Sequence, residues 1–103
     1  MAANISERFR ITAKKWVDAD SAASLLEECK SAFLAQKMAA FGDGPVSRAE
    51  MAVKASGEWT DYIGKMVRAR EQASLLKVNL EFIRMQFSEW QSIEATARAE
   101  RRL

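Results

Sequence analysis

The chain predicts an all-α fold, a helical hairpin or small bundle in which two shorter N-terminal helices pack antiparallel, in coiled-coil fashion, on one long C-terminal helix. Three observations predict it. A hydrophobic seam climbs the C-terminal half in steps of four and three residues, through Ala55, Trp59, Tyr62, Met66, Ala69, Ala73, Leu76, Leu80, Ile83, Phe87 and Trp90. That spacing lays one helix against another, whereas a strand would alternate with period two. Gly and Pro are scarce, four and one in 103 residues, while Ala, Glu, Lys, Arg and Leu are plentiful. Such a balance belongs to a folded helical chain rather than a disordered one. The third observation is one firm interruption, the run Phe41, Gly42, Asp43, Gly44, Pro45, where glycine takes a left-handed C-cap and proline blocks continuation.

A single domain spanning 1–103 follows, with helices at about 4–17, 20–41 and 48–103. Asn4 and Glu7 read as an N-terminal capping pair, and Ile5, Phe9, Ala13, Trp16 and Val17 share one helical face. Asp18, Asp20, Ser21 and Ser24 offer competing cap oxygens, with Ser24 and Glu27 as a capping box, so a kink or short turn is expected at 18–21. Without Gly or Pro there, a continuous helix is the alternative. The second helix is expected to bury Leu25, Leu26, Cys29, Phe33 and Ala40. Ser47 and Glu50 form the clearest capping box, flanked by Val46 and Met51 as a hydrophobic staple, so the third helix starts at Arg48. Unbroken to Leu103, it would measure on the order of 84 Å. If the long helix bends, Ser56 and Gly57 mark the place, with Gly64 a second weak point. Folding about the 42–46 loop sets 20–41 beside 48–69 and 4–17 beside 71–88, so Trp90, Ile93 and the C-terminal arginines project beyond the hairpin.

The long helix carries more than its seam. A second apolar stripe, Leu75, Val78, Phe82 and Met85, lies about 140° around it and implies a second neighbour, either the chain's own N-terminal helices or a second copy. Gln72, Asn79 and Gln86 form an amide column between the stripes, which fixes register if paired or lines a solvated groove if not. Arg70, Lys77, Arg84 and Arg98 repeat at multiples of seven along the outer side, with Gln91 in the remaining slot. Such a basic line can track phosphates. Glu81, Glu94 and Glu100 stand close enough to pair with these cations, which is the commoner use of such a pattern. Arg98, Arg101 and Arg102 also suit the negative end of a helix dipole. Trp16 and Trp59 read as core; Trp90, near the projecting end, reads as core or as an interface anchor.

Composition narrows the function classes. With no histidine, the commonest general base and zinc ligand are missing. Glu58 and Asp61 share a face but make no di-metal site without further inward ligands. Gly42-Asp43-Gly44 lacks the phosphate-loop pattern and a preceding strand. The chain is therefore expected to be no enzyme, with no catalytic, cofactor-binding or metal site and no cofactor. Cys29, the one cysteine, reads as a core thiol. No apolar run reaches the length of a membrane span, and the N-terminus lacks a secretion-signal layout, so the cytoplasm is the expected compartment. The formal charge of +2 implies no nucleic acid by itself.

Residues 54–59 (KASGEW), 66–71 (MVRARE), 87–92 (FSEWQS) and 95–101 (ATARAER) together resemble small helical proteins encoded by tailed phages and prophages. The resemblance covers the C-terminal half and includes no catalytic motif. It implies a bacterial cytoplasm and work beside phage DNA metabolism or against host defence. The leading expectation is a non-catalytic helical binding protein, acting by protein–protein association through Trp90, Ile93, Arg98, Arg101 and Arg102. The alternative is direct DNA or RNA binding through Arg70, Lys77, Arg84 and Arg98, joined by Arg101 and Arg102. Self-association through Leu75, Val78, Phe82 and Met85 is compatible with either.

Overall fold

The computed structural model describes residues 2–102, so the expected helix end at Leu103 lies outside them. Four helices follow in order: α1 (Ala2–Glu28), α2 (Lys30–Ala39), α3 (Val46–Lys54) and α4 (Gly57–Arg102). There is no strand among the described residues. The N-terminal helices pack against the long C-terminal one, α1 running antiparallel along α4 while α2 lies beside α3. The molecule is a rod of 84 × 17 × 17 Å, two helices wide.

Each arm is a helix with one interruption, at Cys29 in the first and before Gly57 in the second. Cys29 joins α1 to α2 with ψ near −2°, yet its N–H still reaches the Leu25 carbonyl at 3.0 Å and its carbonyl accepts from Phe33 N–H at 2.9 Å. Hydrogen bonding therefore persists through the interruption. In the other arm Ser56 separates α3 from α4: its N–H bonds the Val53 carbonyl at 3.0 Å, one residue tighter than an α-turn, while its hydroxyl accepts from Trp59 N–H at 3.3 Å. Ser56 thus caps α4, at the bend the Ser56–Gly57 pair foretells. At the tip, Gly42 adopts φ +70°, the left-handed conformation that glycine takes without a Cβ clash, and Pro45 precedes α3.

Several expected boundaries move. The break at 18–21 does not occur: without Gly or Pro, nothing outcompetes the helical ladder, and Asp18 pairs with Lys14 at 3.4 Å instead of capping. Asn4 and Glu7 lie inside α1, so neither caps it, and Glu7 bonds Arg10 at 2.5 Å. Helix α3 begins at Val46 rather than Arg48. Its N-cap is Pro45, whose carbonyl accepts from Arg48 and Ala49, with no side-chain cap; Glu50 pairs with Lys54 at 2.8 Å. The expected staple is open, since Val46 and Met51 are both exposed.

The core is a seam. Ala23, Val53, Ala73, Leu80 and Ile83 are buried, and Trp59, Tyr62, Met66, Ala69, Leu76, Phe87 and Trp90 are half-buried along the predicted line. Ala55, at the α3 C-cap, is exposed. From α1, Ile5, Phe9, Ala13 and Trp16 meet the seam half-buried, while Val17 is exposed. Leu25, Cys29 and Ala40 are also exposed, contrary to expectation. Two helices share only one line of contact, so residues to either side of it keep water.

Candidate functional site

The antiparallel register brings four residues together across α1 and α4. Asp20, Ser24 and Glu27 recur at steps of four and three on the uninterrupted α1, and so present one face to Arg70 on α4. Its guanidinium donates to Asp20 at 2.6 Å, to Ser24 Oγ at 3.2 Å and to both Glu27 oxygens at 2.7 and 3.0 Å. Hydrogen bonding from Arg70 holds the Glu27 carboxyl below its ordinary range, and Glu27, then Asp20, raise Arg70 above its own. The expectation that Arg70 lies on the outer side is corrected: it spends its donors within the chain. Ser24 and Glu27, read from the sequence as a capping box, are its partners. Their spacing on one helix face was the available signal, masked by reading them as a helix start.

A second cluster sits where both arms are interrupted. The rings of Phe33, Trp59 and Tyr62 stack, with the Phe33 and Tyr62 centroids 4.4 Å apart. Lys30 lies over Trp59 at 5.8 Å and Lys37 over Phe33 at 5.5 Å, where the cations meet the negative ring faces. The Tyr62 hydroxyl donates to the Leu26 carbonyl at 2.5 Å, in the last turn of α1. Burial, with a smaller contribution from Cys29, raises the phenol's pKa. Glu58 pairs with Lys37 across the arms, which accounts for one of the two acids considered for metal binding. Among the described residues, no group of three or more Cys, Asp or Glu could hold a metal ion.

The remaining predicted residues spread along α4. Leu75, Val78, Phe82 and Met85 are exposed by 63, 61, 57 and 68%, so the second stripe makes no intrachain core. Beside it opens an apolar groove of about 520 Å³, lined by Val67, Ser74, Leu75 and Val78 and closed on one side by Glu27 and Arg70. In the amide column, Gln72 and Asn79 are exposed and half-buried Gln86 accepts from Arg8 at 3.5 Å. The column therefore flanks the seam instead of entering it.

Of the basic line, Lys77 is exposed and Arg84 lies over the Phe9 ring at 5.7 Å. Arg98 and Arg101 are exposed and donate to the carbonyls of Glu94 and Ala97, at 3.4 and 3.3 Å, as cations do near a helix C-terminus. Arg102 is exposed too. Trp90 stacks on Phe87 with centroids 6.0 Å apart, while Ile93 is 60% exposed. Arg8 level with Gln86 puts the start of α1 near residue 90, and residues 91–102 continue past it.

No helix among the described residues is long and apolar enough to cross a membrane. Compared with protein-family models, with curated proteins and with solved structures, the chain finds no match.

Proposed function

We propose that this chain is a non-catalytic helical binding protein that acts by docking the projecting end of α4 onto another protein. The observation that supports the reading is the chemistry of that end. Exposed Ile93 stands one turn from Trp90, and exposed Arg98, Arg101 and Arg102 follow, combining an apolar anchor with arginines as binding hot spots do. The proposed partner lies in the bacterial cytoplasm, within a complex that processes nucleic acid or defends the host.

Affinity capture from phage-infected bacterial lysate supplies the partner, and titration against variants tests the surface. Ile93→Ala and Arg98→Ala should each bind at least about tenfold more weakly while retaining wild-type helicity by circular dichroism. If the captured partner binds both variants as it binds wild type, the surface is misassigned. The basic-line alternative is read in the same preparation by gel shift across a salt series: retention of DNA or RNA that falls steeply with salt would favour it.

A further inference from the structure

We infer that the exposed face of α4 is covered by a second copy of this chain, running antiparallel, with a two-fold axis level with residue 80. The inference does not depend on the heterotypic binding proposed above, but the two surfaces share Ile93, the outermost residue of the exposed stripe.

The first support is area. A compact monomer of 11.6 kDa exposes about 5,800 Å², and a domain of this length has a radius of gyration of about 13 Å. This chain exposes 7834 Å² and has a radius of gyration of 23.2 Å. The excess, about 2,000 Å², is more than twice the roughly 800 Å² that each partner contributes to a standard interface, and most of the large apolar side chains left in water lie on α4 or near the hairpin tip.

The second support is symmetry. The large apolar residues exposed on α4 are Val67, Leu75, Val78, Phe82, Met85 and Ile93. At 100° per residue they fall within about 80° of arc, on the side away from buried Leu80. Their positions mirror one another about residue 80: Val78 with Phe82, Leu75 with Met85, Val67 with Ile93. An antiparallel two-fold apolar contact needs this, because residue i must meet residue j while j meets i. Inverted about that axis, the two stripes interleave as the layers of an antiparallel coiled coil. Met85 of the second copy then comes level with Leu75 and enters the apolar groove beside Ser74. Between the inner layers and the outer pair, Glu71 comes level with Glu89 of the second copy. The Arg68 guanidinium lies beside Gly64 rather than Glu71, so this like-charge pair weakens the contact. The result is a four-helix assembly with α1 of each copy outside, and its length is about 105 Å by helical rise from the hairpin tip to the axis, doubled.

Light scattering coupled to size exclusion on the full chain at about 100 μM tests the assembly. Wild type should elute near twice 11.6 kDa, and Phe82→Glu and Met85→Glu should each elute near 11.6 kDa with unchanged helicity. Both side chains are exposed in the single hairpin, so neither substitution disturbs its seam. Orientation is read by cross-linking in a Cys29→Ser background. Chains carrying Val78→Cys mixed with chains carrying Phe82→Cys should form the mixed disulfide, with little of either homodisulfide. A wild-type mass of one chain, or masses unchanged by both glutamates, would overturn the inference. Homodisulfides without the mixed product would overturn the antiparallel two-fold.

Discussion

Arg70 illustrates how a residue's role is fixed by what faces it. On α4 alone it is one cation of a heptad-spaced line; opposite α1 it answers Asp20, Ser24 and Glu27 at once and pins the axial register of the hairpin. Because Glu27 titrates below its ordinary range in the folded chain, its ion pair is present above the unfolded carboxyl value of about 4.3 and is lost as pH falls through the lower folded value. Thermal melts should therefore show Glu27→Gln less stable than wild type at pH 7, with the difference closing in acid. The apolar seam responds differently. Leu80 is 8% exposed, and Leu80→Ala should cost about 2 to 4 kcal/mol in urea denaturation at any pH where the hairpin folds. The seam residues were legible because 3.6-residue periodicity marks them without reference to a partner. The Arg70 cluster was not, since a polar side chain near a suspected helix end satisfies a cap or a tertiary partner equally well in one dimension.

At the scale of the element, α4 is a long helix begun by Ser56 and weakened at one interior position. Removing the Ser56 hydroxyl leaves the Trp59 N–H without its acceptor, so Ser56→Ala should destabilise by about 1 kcal/mol, measured by chemical denaturation. Gly64 has helical neighbours on both sides, and a Cβ there would meet only the Arg68 guanidinium at 3.1 Å, the mobile end of a side chain. Gly64→Ala should consequently stabilise the chain by about 0.5 to 1 kcal/mol in the same assay. The bend at Ser56–Gly57 and the turn at Gly42 could be anticipated because serine and glycine change local backbone preference. The interruption at Cys29 could not. No residue near it breaks a helix, and it coincides with the Tyr62 hydroxyl bonding the Leu26 carbonyl from the opposite arm.

For the whole molecule, the consequence of being two helices wide is that a narrow line of contact must hold an 84 Å rod. Stability then depends on what covers the outer face of α4. With a second copy bound there, melting temperature should rise with protein concentration, because association stabilises the folded state by mass action. Scanning calorimetry over a hundredfold concentration range should show that rise for wild type and none for Phe82→Glu.

The sequence by itself determined the helical class, the hairpin turn and the seam of α4, all of which follow from local periodicity and backbone preference. Only the tertiary structure decided that α1 runs unbroken through 18–21, that Arg70 turns inward, that Cys29 faces water, and that Leu75, Val78, Phe82 and Met85 have no cover within the chain. The physical reason is the number of neighbours. Periodicity tells a helix which side chains are apolar, but whether a second apolar stripe is buried depends on how many helices surround it, and here there is one.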